Sequence, residues 1–202
     1  MKYILLCICL FALLGCSTDT KSQQDTKPTT VNEQVEKTQG QDNHIIAAKQ
    51  ALSSGNYNKA IEESTIAINV NVNNAEAYSI RGFATALNGD TAKGLIDTKK
   101  AYDLDPNNVA NYYNMAMVYK LQGQLNESKQ WFEKVLEKDP SNTWSVYGIA
   151  TIYADQGDNT KALNWLERAI KIDPSVKSVA AEQDHFERFH NNERFNHLVG
   201  HK

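Results

Sequence analysis

The chain is poor in the residues that carry covalent and metal chemistry. It has three cysteines in 202 residues, Cys7, Cys9 and Cys16, all close to the N-terminus. Residues 17–202 therefore offer no thiol for a disulfide, a metal or a redox couple. There are four prolines, and three of them (Pro106, Pro140 and Pro174) each follow an aspartate. Excess charge of one sign is missing as well. The net charge is −3, with 21 Lys and Arg against 24 Asp and Glu and no basic stripe. That balance argues against nucleic acid as a partner and implies no attraction to an anionic membrane surface. The glycines are dispersed, so no phosphate-cradling loop forms, and no serine or cysteine stands in a nucleophile-elbow sequence. No catalytic set and no cofactor is expected. The apolar run Tyr3–Leu14 is too short to span a bilayer.

What the chain does have is a period. Gly55, Gly89, Gly123 and Gly157 are 34 residues apart, and so are Asp105-Pro106, Asp139-Pro140 and Asp173-Pro174. A fixed spacing of this size means stacked supersecondary units. The frames are 41–74, 75–108, 109–142 and 143–176. Small residues recur at the eighth position (Ala48, Gly82, Ala116, Ala150) and the twentieth (Ala60, Gly94, Ser128, Ala162), where helix backbones can approach closely. Larger apolar residues surround them at spacings of three and four: Tyr112, Met115, Tyr119, Phe132 and Leu136, then Val146, Ile149, Tyr153, Leu166 and Ile170. That spacing predicts two amphipathic helices per frame. The glycine separates them as a C-terminal cap with positive φ, and the residue before proline ends the second. Asn107, Asn108, Ser141 and Asn142 are the candidate N-caps.

Together these residues resemble the tetratricopeptide repeat (TPR) family over all four frames. The resemblance implies an all-α, right-handed solenoid of antiparallel helix pairs. Departures lie in the first two frames. Asn71-Val72 replaces Asp-Pro, Ser64 stands where Phe132 and Leu166 come later, Arg81 takes an aliphatic place, and Gly94 lies inside a helix. A mid-helix glycine costs about 1 kcal/mol relative to alanine, so these two repeats are expected to pack less well.

The N-terminus has Lys2, the apolar run and Leu13-Leu14-Gly15-Cys16, which resembles a bacterial lipoprotein signal. The resemblance implies a leader at 1–15, removed, and Cys16 as the acylated mature N-terminus, anchoring the chain to a membrane. Losing Lys2 leaves 20 basic against 24 acidic residues, a charge of −4. The alternative, a buried first helix, is opposed by the segment that follows. Residues 16–40 are mostly polar after Cys16, with Val31 and Val35 the aliphatic residues of 17–40, and read as a disordered tether. Extended, it reaches at most about 80 Å; as a coil it holds the repeats on the order of 30 Å away. Ser17 after Cys16 favours the outer membrane where the host has one.

Residues 177–202 read as a C-terminal cap. Phe186, Phe189, Phe195 and Leu198 resemble the ending of many TPR proteins and would cover the face left open by the fourth repeat. Four histidines, His185, His190, His197 and His201, lie in the same stretch. His197 and His201 would share a helix face, a workable transition-metal pair, but no third ligand is evident. The plain reading is a polar terminal helix, and no metal residue is assigned.

In the TPR family the first helices line a concave groove. Here the second, fifth, ninth and twelfth residues of each frame form that stripe: Asp42, Ile45, Lys49, Leu52; Glu76, Ser79, Phe83, Ala86; Ala110, Tyr113, Met117, Lys120; Trp144, Tyr147, Thr151, Ala154. The Lys, Arg and Asn clamp with which some TPR domains hold chaperone C-termini is absent in either register. The candidate peptide-binding residues are Phe83, Tyr113, Asn114, Met117, Trp144 and Tyr147, the aromatics as anchors and Asn114 for a ligand backbone. Tyrosine at the fifth position can equally pack between neighbouring helices. Trp131 and Trp165 are placed on the convex side. The expected function is that of a lipid-anchored, non-enzymatic adaptor binding a protein or peptide in the bacterial cell envelope. By resemblance to TPR lipoproteins, that implies work such as pilus secretin assembly or recruitment of cell-wall enzymes. A self-associating structural oligomer, or metal capture by the C-terminal histidines, are the alternatives; the oligomeric state stays open.

Overall fold

A computed structural model describes residues 43–200. The leader, Cys16, the tether and His201 lie outside the described residues. All regular structure among the described residues is helical: α1 (43–53), α2 (Tyr57–Val70), α3 (Ala75–Leu87), α4 (Thr91–Leu104), α5 (Val109–Leu121), α6 (Leu125–Lys138), α7 (Thr143–Asp155) and α8 (Asn159–Ile172). A shorter α9 (Val176–Glu182), a 3-10 helix (Asp184–Phe189) and α10 (Glu193–Val199) follow. The helices pack as consecutive antiparallel pairs, α1 with α2 through α7 with α8.

Local chemistry sets the helix ends. Gly55, Gly89, Gly123 and Gly157 have φ between +73° and +105°, which closes each first helix in a conformation other residues rarely adopt. Asn74, Asn108 and Asn142 cap α3, α5 and α7, each side chain accepting a backbone N–H at 2.8–3.0 Å. Second helices end at Asn71, Asp105, Asp139 and Asp173. Asp139 and Asp173 each accept the N–H two residues on, and Asn71 does the same to Asn73 at 3.0 Å. The first repeat thus makes the same turn without proline.

The second repeat is not loosened by its departures. Gly82 and Gly94 face each other where α3 and α4 cross. A Cβ on Gly94 would lie 2.6 Å from the Gly82 carbonyl oxygen, and one on Gly82 would lie 2.8 Å from that of Gly94. The glycine expected to weaken α4 is what lets the two backbones meet. Arg81 pairs bidentately with Asp97 across the same crossing, Nε–Oδ2 2.7 Å and Nη2–Oδ1 2.9 Å. Ser64 and Thr98 are buried in place of large side chains and donate to Ala60 and Gly94 carbonyls four residues back.

Larger side chains fill the later repeats. Phe132 is fully buried against Gly148, whose missing side chain leaves room for the ring. Trp131 lies edge-on to Tyr102 at 5.1 Å with the Lys134 ammonium 3.7 Å above it, and Trp165 carries the Arg168 guanidinium at 5.0 Å. The C-terminal segment is a cap. Phe186, Phe189 and Phe195 are buried with Val146, Leu163, Leu166 and Ile170, and their ring centroids lie 5.6–6.0 Å apart. Each such ring contributes roughly 1.5–3 kcal/mol. Leu198 packs against the same core while partly exposed, and Arg194 ties α10 to Glu167 of α8 at 2.8 Å.

Candidate partner-binding groove

The first helices carry the candidate residues, and their neighbours decide which of them reach solvent. Phe83 is 2% exposed, Tyr147 8% and Met117 9%. Phe83 and Met117 share one core with Ala116, Val118, Phe132, Ile149 and Ile152, drawn from four helices. Tyr147 belongs to the next core and lies 6.0 Å from Phe186 of the cap. These three are packing between repeats, because each first helix is flanked by the one before and the one after.

Tyr113, Asn114 and Trp144 keep exposed surface. Tyr113 stands edge-on to buried Phe132 at 5.7 Å, and Trp144 is perpendicular to Tyr147 at 6.0 Å. Asn114 donates from Nδ2 to the Ser79 Oγ of the preceding repeat at 2.8 Å. Its Oδ1 and second N–H have no partner among the described residues. Burial raises the phenol pKa of both Tyr113 and Tyr147. The Tyr147 hydroxyl is buried without a hydrogen-bond partner among the described residues, a cost of about 1–3 kcal/mol for such a group. At the other end of the stripe Lys49 pairs with Glu76, from α1 to α3.

A polar network at the C-terminal end of the stripe was not read from the sequence. Lys120 of α5 reaches Thr151 Oγ1 of α7 at 2.5 Å and His185 Nε2 of the 3-10 helix at 3.2 Å. The His185 Nδ1 lies 2.6 Å from Asp155 Oδ1. Arg188 donates to the Ala154 carbonyl, its guanidinium 4.9 Å from the Phe189 ring centre. A cleft of about 380 Å³ opens here between Ala154, Asp155, Asp184, His185, Glu187 and Arg188. The signal was present. His185 is 34 residues after Thr151 and Arg188 is 34 after Ala154, so the stripe runs one frame beyond the last full repeat.

The described histidines of the C-terminal segment do not gather, and His201 lies outside the described residues. His185 is engaged with Asp155 and Lys120, His190 packs against Phe195 at 5.9 Å, and His197 is exposed on α10. Among the described residues no group of three His, Cys, Asp or Glu is placed to hold a metal ion. No helix among them is long and apolar enough to cross a membrane.

Comparison with known proteins agrees with the helix pairing. The tetratricopeptide repeat family model matches residues 108–175. No curated protein matches the chain in sequence. Solved structures match in fold at low identity. PilF of Pseudomonas aeruginosa is similar with a TM-score of 0.67 and 15% identity, over 81% of this chain and 75% of that one. MamA of Desulfovibrio magneticus RS-1 gives 0.61 and 17%, over 80% and 90%. YrrB, a TPR protein with an unusual peptide-binding site, gives 0.57 and 15%, over 86% and 90%. The described chain is thus a TPR solenoid in fold, closed by a C-terminal cap, and its residues 108–175 match the tetratricopeptide repeat family in sequence.

Proposed function

We propose that this chain is a non-enzymatic adaptor that holds a protein or peptide in its concave groove, tethered to a membrane of the bacterial cell envelope through an acylated Cys16. The fold is one used for protein recognition, and YrrB, of like fold, has a peptide-binding site. The observation that carries the reading is the pair Tyr113 and Trp144. They are partly exposed on successive first helices, and each is held from beneath by a buried ring, Phe132 or Tyr147. Aromatic anchors fixed in this way bind with little loss of conformational freedom. Asn114 beside them offers an acceptor and a donor for a partner's backbone. Phe83, Met117 and Tyr147 act as the support beneath these contacts. The anchor rests on the sequence of residues 1–16.

The test has two arms. Partners captured by the native protein from its own membranes are identified and their affinity measured. Tyr113→Ala with Trp144→Ala should weaken binding at least about tenfold, or roughly 1.4 kcal/mol, with helical content retained. A double variant that melts early yet binds normally would show that the rings only pack repeats together. Intact-mass measurement of the native protein should give a chain beginning at Cys16 with acyl groups; one beginning at Met1, or unlipidated, would end the anchoring part.

A further inference from the structure

The residue before the turn glycine is Ser54, Asn88, Gln122 or Gln156 in the four repeats. In the last three its side-chain amide reaches back to the repeat before. Asn88 Nδ2 donates to Asn58 Oδ1 at 3.0 Å, Gln122 Nε2 to the Thr91 carbonyl at 3.0 Å, and Gln156 Nε2 to Asn126 Oδ1 at 3.3 Å. The second repeat differs from the next two by one methylene, and that changes its chemistry. Asn88-Gly89 is the one Asn-Gly pair among the chain's ten glycines. An asparagine side chain can close a five-membered ring onto the next backbone nitrogen, whereas glutamine would need a less favourable six-membered ring. Glycine leaves that nitrogen open to approach, since it has no Cβ beside it. Asn88 and Gly89 are both exposed, and a Cβ built on Gly89 would meet no atom within 4 Å. Water and base therefore reach the pair.

We propose that Asn88 is a site of spontaneous modification, converting through a succinimide to isoaspartate and aspartate, at a rate set by opening of the turn between α3 and α4. Hydroxide takes the Gly89 amide proton. The nitrogen's electron pair then bonds to Asn88 Cγ, the Cγ–Nδ2 bond breaks, and ammonia leaves with a proton from water. Water next opens the ring. Cleavage at Cγ gives aspartate. Cleavage at the main-chain carbonyl carbon gives isoaspartate, with the chain running through Cβ and Cγ. One water is consumed and one ammonia released, with no change of oxidation state. The site is independent of the groove reading.

The fold holds the reaction back. The Gly89 N–H donates to the Ala86 carbonyl at 3.1 Å, which retains the proton that must leave. The Asn88 amide is occupied with Asn58. The Asp90 N–H, just beyond, is bound to the Thr85 carbonyl at 3.1 Å. Cyclisation waits for this turn to open, and local opening of an exposed turn is easier than global unfolding. The product does not restore the turn. A carboxylate at 88 has no N–H to give Asn58. It also puts negative charge at the C-terminal end of α3, where the helix dipole disfavours it, two residues from Asp90. Isoaspartate further adds a methylene to the main chain just before Gly89, whose φ is +105°. The junction of the first two repeats is loosened, and loss of ammonia makes the change one-way.

The experiment incubates the full chain at pH 8, folded in buffer and unfolded in urea. Peptide mass mapping follows the gain of one mass unit at residue 88, and an isoaspartate-specific methyltransferase counts the iso form. Residue 88 should change ahead of every other asparagine, and at least about tenfold more slowly in the folded chain than in urea, because the turn must first open. Asn88→Gln, which carries the residue of the third and fourth repeats, should show no gain at that place and keep the native melting temperature. Asn88→Asp should melt below the native protein. A folded chain that stays unmodified at 88 while other asparagines change overturns the site. Equal rates in buffer and urea overturn the control by the turn. An Asn88→Asp protein that melts with the native one, and an aged isoaspartate form that does the same, overturn the loosening of the junction.

Discussion

Gly94→Ala sets helix propensity directly against packing. On propensity alone the change should stabilise α4 by about 1 kcal/mol. The tertiary contact opposes it. The new Cβ would lie 2.6 Å from the Gly82 carbonyl oxygen, 2.7 Å from the Ala86 Cβ and 2.9 Å from the Ala86 nitrogen. Two of these three atoms are backbone and cannot rotate aside. Reaching ordinary contact at 3.4 Å requires the helices to part by about 0.8 Å at that point. Parting them also strains the bidentate Arg81–Asp97 pair that spans the same crossing. Overpacking of this kind costs about 1–3 kcal/mol, and the backbone obstruction puts this site at the upper end. The net expectation is a loss of about 1–2 kcal/mol, which for a domain of this size lowers the melting temperature by roughly 2–8 °C. Thermal melts followed by far-ultraviolet circular dichroism read this directly, with urea titration as the second measure. A Gly94→Ala protein that melts a few degrees higher would show that propensity wins and that α3 and α4 do not meet so closely.

Three further outcomes concern the ends of the solenoid, besides those given for Tyr113 and Trp144. Phe186→Ala removes a fully buried ring packed on Tyr147, Phe189 and Phe195 and should cost about 3–5 kcal/mol. Deleting 186–202 should lower the melt further and promote association by light scattering, and an unchanged, monomeric product would make the segment a mere tail. In the first repeat the Lys59 ammonium and then His44, at 2.7 and 2.5 Å, hold the Glu63 carboxyl below its usual pKa. A lowered folded value means that Glu63 contributes stability at neutral pH and loses it as pH falls from the ordinary carboxylate range through that lower value. The melting-temperature gap between the native protein and Glu63→Gln should therefore narrow on acidification through that window; a gap constant with pH would deny the charge a role.

The sequence by itself determined the helical architecture. The 34-residue spacing of glycines and Asp-Pro pairs marks where helices stop, because positive φ and the residue before proline are local backbone constraints. Asn108 and Asn142 are caps by the same local logic, and Asn71 could replace Asp-Pro because an asparagine side chain closes the turn by itself. The phenylalanines of the cap were legible as a surplus of apolar residues after the last repeat. The tertiary structure decided which residues of the groove stripe face solvent. Periodicity reports that Phe83, Met117 and Tyr147 share a helix face, but not that a neighbouring first helix or Phe186 covers it. The same holds for the closeness of Gly82 to Gly94, for Arg81 with Asp97, and for Lys120 with His185, which are 65 residues apart. Those outcomes depend on the neighbour that each side chain meets once the pairs have stacked, and that neighbour comes from another helix.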